Sequence, residues 1–218
     1  FLQTPCRGCV RSRRTLGNGE IMFGFYEGFE WLEGKCHDVT SQFGEDGLIA
    51  AALEKFGETN RWCFEVGASD GKYLSNTWSL RERGWNSVQI EGDTKNFEAL
   101  TKGFGEKCFC VQDLVGPDSL DEILTECGVP EDLDFGVIDI DGQDYHVWDG
   151  MKKFRPRIML VEYAHGSNGK GISIPALDDK HGQASFDAIG QLGVDKGYTA
   201  MAFTLVNLLF VRNDVIGS

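Results

Sequence analysis

The chain has 218 residues, 41% hydrophobic and 25% charged, which is ordinary for a globular domain with one well-buried core. Its formal net charge is −13, and the five basic and five acidic residues of segment 1–40 cancel, so residues 41–218 carry the whole excess of acid. Such an acidic body repels a phosphate backbone, which argues against nucleic acid as a partner, and no apolar stretch is long enough to span a bilayer.

Residues 1–40 are rich in glycine and aromatic residues and show neither a helical nor a strand period. We expect an irregular N-terminal extension that contacts the domain or a protein partner. The first residue is Phe1 and not Met, so we expect either that a leader or an upstream domain has been removed or that the sequence is cut from a longer chain.

Cysteine residues give two further expectations. Cys6, Cys9, Cys36 and His37 are four soft ligands that suit zinc, although adjacent Cys36 and His37 rarely both reach one tetrahedral ion. Free thiols or a local disulfide are the alternatives. The chain has an odd number of cysteines, seven, and those outside this segment fall mainly in strand-like runs, which favours a reducing compartment.

From Ser41 onward, helix and strand signals alternate. The predicted strands cover residues 61–68, 86–93, 107–115, 133–141, 155–164, 198–204 and 207–215. The predicted helices cover residues 41–57, 73–84, 94–104, 117–128, 145–154 and 185–197. A long polar, glycine-rich loop spans residues 165–184.

Repeated strand–helix–strand units of this length indicate a mainly parallel sheet with helices on both faces. The last two strands are too close for a crossover, so we expect them to pair as an antiparallel hairpin. Residues 41–218 are therefore predicted to form an α/β, three-layer, Rossmann-like fold with a seven-stranded mixed sheet. This arrangement resembles that of class I methyltransferases.

The end of the first strand carries an E-x-G-x-x-x-G pattern at Glu65, Gly67 and Gly71. Glycines let a ligand approach the backbone, although an ordinary tight turn between strand and helix has the same sequence features. Ser69 interrupts the G-x-G-x-x-G pattern of dinucleotide-binding proteins, and no cation that could bind phosphate lies nearby. A carboxylate here favours a cationic ligand such as S-adenosylmethionine (SAM).

Acidic residues also follow the next three strands. Glu91 is placed to accept both ribose hydroxyls, and Asp113 and Leu114 to contact the adenine of a nucleoside. The fourth strand is followed by Asp139, Asp141 and Asp144. Ligands of open α/β sheets bind at these strand ends, so four successive acidic ends predict a SAM site.

The segments SQFGEDG, FEVGASDGKYLSNT, IEGD and DIDGQDYHVW together resemble the FkbM-type branch of SAM-dependent methyltransferases. The resemblance runs from about Ser41 to the last strand, and Asp141 and Asp144 are one methylene shorter than the glutamates of the family signature. It implies O-methylation of a sugar, a glycan or another small metabolite. The residues it assigns to SAM binding are Gln42, Glu65, Gly67, Ala68, Ser69, Asp70, Gly71, Asn76, Glu91, Gly92, Asp93, Gln112, Asp113, Leu114 and Asp139.

Methyl transfer to a hydroxyl requires alignment of the two substrates and removal of a proton. Asp141, Asp144 and His146 are the candidate bases. Asp139, Asp141 and Glu162 could instead hold Mg²⁺, although acids at a helix start also serve as caps. The 165–184 loop is the expected substrate lid.

A second class of function also fits the sequence. The unusual N-terminal segment and the acidic body are compatible with a catalytically silent methyltransferase fold that serves as a structural subunit of a larger assembly. The filled SAM-contact positions favour the enzyme.

Overall fold

The computed structural model describes residues 12–15, 21–103, 105–179 and 181–217. The strands in these ranges are β1 (Ser12–Thr15), β2 (Ile21–Phe25), β3 (Trp62–Val66), β4 (Asn86–Glu91), β5 (Cys108–Gln112), β6 (Phe135–Ile138), β7 (Ile158–Glu162), β8 (Tyr198–Phe203) and β9 (Asn207–Arg212). The helices are α1 (Glu45–Phe56), α2 (Trp78–Glu82), α3 (Thr94–Leu100), α4 (Leu120–Glu126), α5 (Asp144–Gly150), α6 (Phe186–Asp195) and α7 (Asn213–Ile216). None of these helices is long and apolar enough to cross a membrane.

All of these strands belong to one sheet, in the order β1-β2-β8-β9-β7-β6-β3-β4-β5. Strands β5, β4, β3, β6 and β7 are parallel, and β9 pairs antiparallel with both β7 and β8. Every residue of β6 and β7 is buried, which is typical of central parallel strands. The predicted parallel sheet with an antiparallel C-terminal hairpin is therefore confirmed.

Where residues 1–40 are described, they differ from the irregular extension that the sequence predicts. They form β1 and β2, which raise the number of strands in the described ranges from the predicted seven to nine. Strands β1 and β2 pair antiparallel, and β2 pairs with β8, so that Phe25 lies opposite Ala202. Phe25, Tyr26, Phe29 and Leu32 are buried in the main hydrophobic core. These residues lack a strand period, and their structure depends on pairing with the edge of a distant hairpin.

The start of α1 is held by an acid together with a serine, because the Asp46 N–H donates to the Ser41 hydroxyl at 2.9 Å. Asp46, in the first turn, accepts hydrogen bonds from the backbone N–H groups of Val39, Thr40 and Ser41 at 2.8–2.9 Å. Burial raises the pKa of Asp46, but these bonds and the one from the Ser41 hydroxyl outweigh it and lower the pKa below its ordinary value. Ser79 of α2 donates to the same carboxylate at 2.8 Å, which fixes α1, and with it Glu45, relative to α2.

Candidate active site

A cavity of about 760 Å³ lies at the carboxyl ends of the five parallel strands β3, β4, β5, β6 and β7. Seven acidic side chains from the strand ends and following loops line it: Glu65, Glu91, Asp93, Asp113, Asp139, Asp141 and Glu162. None of the described residues that line this cavity is Lys, Arg or His. A cavity of this size is typical of small-molecule sites, and its acidity favours a cation or a ligand rich in hydrogen-bond donors.

Glu65, at the end of β3, holds the segment that follows it. Its carboxylate accepts from the hydroxyls of Ser75 and Thr77 at 2.7 and 2.6 Å and from the Asn76 N–H at 2.7 Å. Burial raises the pKa of Glu65, and these three bonds partly offset the shift. The acid that the sequence assigns to the ligand therefore also organises residues 75–77.

Gly67 brings the ends of β3 and β6 together. Its φ is +85°, and a Cβ atom at this position would lie 1.8 Å from the backbone oxygen of Asp139. The N–H groups of Gly67 and Ala68 both donate to the Ile90 carbonyl, at 3.0 and 3.1 Å. The first glycine of the motif is thus required by the packing of one strand end against another.

Glu91, at the end of β4, connects two loops at the cavity wall. It accepts from the Ser69 N–H at 2.6 Å and from the Asp93 N–H at 2.7 Å, one bond on each carboxylate oxygen. Each oxygen keeps further acceptor capacity for a ligand hydroxyl. Next to it, a Cβ on Gly92 would lie 2.3 Å from Leu114, whose side chain is 81% exposed.

Three carboxyl groups meet at the ends of β6 and β7. Glu162, which is 7% exposed, accepts from the Asp141 N–H at 2.9 Å, and its carboxyl group lies close enough to that of Asp139 for the two to repel. Burial and the neighbouring acids raise the pKa of both Asp139 and Glu162, more strongly for Glu162. Glu162 therefore retains its proton to higher pH than Asp139.

Behind this group lies a contact between distant parts of the chain that the sequence did not reveal. The Asn207 side-chain amide donates to Glu45 at 2.9 Å and to Asp139 at 3.3 Å, and Thr204 donates to Glu45 at 2.7 Å. Burial raises the pKa of Glu45 to about 8. In the sequence, Glu45 is only one of the acids near the start of a predicted helix. Its burial in the structure is what indicates its part in this contact.

Most of the predicted site residues meet in this cavity. Those that line it are Gln42, Glu65, Gly67, Ser69, Glu91, Gly92, Asp93, Asp113, Leu114, Asp139, Asp141 and Glu162. Those that lie outside it are Ala68, Asp70, Gly71, Asn76, Gln112, Asp144 and His146.

Two of the predicted cofactor contacts make local hydrogen bonds. Asp70 is exposed, and it accepts from the N–H groups of Lys72 and Tyr73 at 2.9 and 2.7 Å, which lowers its pKa. Gln112 donates to the Thr94 hydroxyl at 2.9 Å. Both side chains thus stabilise loops next to the cavity.

The structure places two of the three candidate bases away from the cavity. Asp144 is 2% exposed, and it accepts from the N–H groups of Ile140 and Gly142 at 2.9 and 3.1 Å. His146 Nε2 lies 2.9 Å from the Pro175 carbonyl, to which it donates. Asp144 therefore shapes the loop, His146 contacts the 165–184 segment, and Asp141 is the candidate base that lines the cavity.

The 165–184 segment contributes to the cavity wall. Leu177 lines the cavity, and the Gln143 side chain donates to the carbonyls of Asp179 and Ala176 at 2.6 and 3.4 Å. Gln143 itself has φ +64°. The loop predicted as a lid is thus attached directly to the turn that carries Asp141.

The two predicted metal sites stay predictions. Within the described ranges, no group of three or more His, Cys, Asp or Glu side chains has the arrangement of a metal site. For zinc, Cys6 and Cys9 lie outside the described residues, Cys36 is partly buried, and His37 Nδ1 lies 3.1 Å from the Lys35 carbonyl.

No protein-family model matches the sequence, and no curated protein is significantly similar to it. Solved structures do match. One is a protein from Klebsiella pneumoniae assigned as an O-methyltransferase, 17% identical over 81% of this chain and 82% of that chain, with a TM-score of 0.53. Another is the O-methyltransferase from Bacillus cereus in complex with SAH, 18% identical over 81% of this chain and 83% of that chain, also with a TM-score of 0.53.

Similarity at this level of identity concerns the fold. Together with the strand order, it shows that the chain has the α/β, Rossmann-like fold of class I methyltransferases. The FkbM-type resemblance remains an expectation from the sequence motifs.

Proposed function

We propose that this chain is a SAM-dependent methyltransferase that methylates a hydroxyl group of a sugar, a glycan or another small metabolite. The observation that carries the proposal is the cavity with seven acidic side chains at the carboxyl edge of the sheet. The ammonium and sulfonium groups of SAM are cations, whereas NAD and nucleotide sugars bring phosphates that such a wall repels. The acidic wall therefore supports SAM over either alternative.

The residues present fit SAM at three places. Glu91 would accept from the ribose hydroxyls, because each of its oxygens retains acceptor capacity. Asp113 and exposed Leu114 would contact the adenine, and Asp139 the methionine end. When bound, SAM supplies a methyl group on a positively charged sulfur.

Asp141 is the residue we assign to the acceptor. It lines the cavity with an exposed side chain, and its backbone N–H is held by Glu162 at 2.9 Å. It would accept the proton of the acceptor hydroxyl, directly or through Mg²⁺ held with Asp139 and Glu162. The FkbM-type sequence motifs support a hydroxyl as the acceptor group.

The proposal is tested by methyl transfer from radiolabelled SAM to matched panels of hydroxyl, amine and thiol compounds, including neutral glycosides. We expect label to enter a hydroxyl compound only when the wild-type chain is present. Transfer to amines or thiols alone would show that the enzyme is a methyltransferase of another specificity. SAM binding, measured separately, distinguishes an unsuitable panel from a chain that does not use SAM.

A further inference from the structure

Strand β5 carries two cysteines on one face. Cys108 and Cys110 are separated by Phe109, and alternate residues of a strand point to the same side. Their Sγ atoms lie 4.0 Å apart, and both side chains are partly exposed. β5 is the outermost strand at its end of the sheet, so it has a neighbouring strand on one side.

Cys108 opens into a second cavity, of about 460 Å³, distinct from the acidic one. The charged residues that line it are Asp70, Lys72, Arg81, Glu82, Glu106 and Lys107. Unlike the first cavity, it contains basic side chains beside a thiol. Ser87, which pairs with Cys108 across β4 and β5, is fully buried and lines the same cavity.

These neighbours favour a thiolate at Cys108. A hydrogen bond from Cys110 lowers the pKa of Cys108 and outweighs the opposing effect of burial, with further help from Ser87 and Arg81. The same contact raises the pKa of Cys110. By contrast, burial raises the pKa of Cys63 and of Cys127, which makes those thiols less reactive.

We propose that Cys108 and Cys110 form a redox-active dithiol that closes reversibly to a disulfide in the presence of a two-electron oxidant such as hydrogen peroxide. The Cys108 thiolate attacks one peroxide oxygen, so that an S–O bond forms, the O–O bond breaks and Cys108 becomes a sulfenic acid. The other oxygen departs as hydroxide and takes up a proton to become water. Cys110 then attacks the Cys108 sulfur, forms the S–S bond and releases a second water. The two thiols lose two electrons and two protons, and the peroxide gains them.

Closing the bond requires a local bend in β5. A disulfide bond is about 2.0 Å long, so the two Sγ atoms must approach by about 2 Å. Alternate residues of an extended strand lie about 6.6 Å apart, so the strand must also bend to bring the two Cβ atoms to the separation of about 3.8 Å that a disulfide spans. Because β5 pairs only with β4 among the described strands, it has more freedom to adjust than a central strand. A thiol reductant reverses the bond by exchange through a mixed disulfide.

The test oxidises the full chain with stoichiometric peroxide, blocks the remaining thiols and maps the cysteines by mass spectrometry. Trypsin alone leaves Cys127 on the same peptide, since no Lys or Arg lies between Lys107 and Lys152. Further cleavage after Asp113 isolates residues 108–113. We expect this peptide to lose two hydrogens, and to regain them after dithiothreitol treatment, while Cys63 and Cys127 stay alkylatable.

The single variants separate the roles of the two thiols. In Cys110→Ser, a sulfenic acid should accumulate at Cys108 and be trapped by dimedone. In Cys108→Ser, the remaining Cys110 should react with peroxide at least tenfold more slowly than Cys108 does in Cys110→Ser. The wild-type map alone decides the proposal if either variant fails to fold. Two independently alkylated thiols in peptide 108–113 after peroxide treatment, or bonds formed only to other cysteines, would overturn it.

Discussion

The backbone N–H of Asp141 donates to the carboxylate of Glu162 at 2.9 Å and so joins the loop after β6 to the end of β7. Asp141 has φ +56°, a conformation that is uncommon for residues other than glycine. The bond to Glu162 therefore helps to hold a strained turn and keeps the Asp141 side chain exposed in the cavity.

Asp141→Asn should lower turnover about 10²–10⁴-fold and leave SAM affinity nearly unchanged. Asn keeps the shape of the side chain and tolerates a positive φ, but it removes the carboxylate that would accept the proton. The measurement is the methyl-transfer rate on the identified acceptor, with SAM affinity determined by calorimetry. Normal turnover by Asp141→Asn would show that Asp141 is not the base.

A chelator distinguishes the two possible roles of Asp141. If the wild-type enzyme loses activity with EDTA and regains it with Mg²⁺, the carboxyl groups act through a metal ion. Retained activity indicates direct proton transfer. Asp144→Asn serves as the comparison, because Asp144 lies outside the cavity and should affect the unfolding free energy more than the affinity for the acceptor.

The buried Glu45 should make the protein less stable as the pH rises from about 4.5 to about 8. Burial raises its pKa from an ordinary value of 4.5 to about 8 in the folded state. In that interval the unfolded chain releases the proton that the folded chain retains, so the free energy of unfolding falls with increasing pH. Each unit of difference in pKa corresponds to about 1.4 kcal/mol.

Glu45→Gln removes this titration and isolates its contribution. In the wild type the Gln42 N–H donates to a Glu45 carboxyl oxygen at 3.2 Å, and the glutamine amide of the variant has no oxygen at that position. The loss of this bond does not depend on pH. The free energy of unfolding is measured with urea at pH 5 and at pH 8 for both proteins. Between these pH values the variant should gain at least about 1 kcal/mol of unfolding free energy relative to wild type. Parallel pH profiles for the two proteins would mean that Glu45 is ionised in the fold.

Gly67→Ala should destabilise the protein far more than Gly128→Ala. Both glycines have a positive φ, +85° and +70°, so both variants pay for an unfavourable backbone conformation. A Cβ on Gly67 meets the Asp139 carbonyl at 1.8 Å, whereas no atom lies within 4 Å of one on Gly128. Equal losses in unfolding free energy would show that the ends of β3 and β6 are not closely packed.

Removal of residues 1–40 should yield an unstable or insoluble chain. The deletion takes away β1 and β2 and exposes the surface against which Phe25, Tyr26, Phe29 and Leu32 pack, each worth about 1.5–3 kcal/mol when buried. The control begins at Ser12 and retains every described residue. Thermal unfolding of both chains decides the question, and a residue 41–218 chain that melts like the control would show that the segment is separable.

The sequence predicted the sheet of residues 41–218 well because its strand and helix periods alternate without interruption. It also located the acidic strand ends, since carboxyl ends of parallel strands meet at one edge. It missed β1 and β2, because these strands are stabilised by pairing with β8 rather than by a pattern of their own.

Side-chain roles were harder to predict than positions. Glu65 was expected to face a ligand, and it also holds residues 75–77 through bonds that depend on the path of the following loop. Asp144 and His146 share a segment with Asp141 but point elsewhere, because the turn at Asp141 redirects the chain. The contact between Glu45 and Asn207 joins residues 162 positions apart, which a local pattern does not reveal.

Calorimetric titration of the wild-type chain with SAM tests the proposed function most directly. Glu91→Ala should weaken binding by about 1–3 kcal/mol, roughly 5- to 150-fold, because charge-assisted bonds to the ribose are lost. Glu98→Ala is the matched control, since Glu98 is exposed on α3, outside the cavity, and should leave affinity unchanged. We predict saturable binding of SAM by the wild-type and Glu98→Ala chains; no heat and no thermal shift with either SAM or SAH would contradict the proposal.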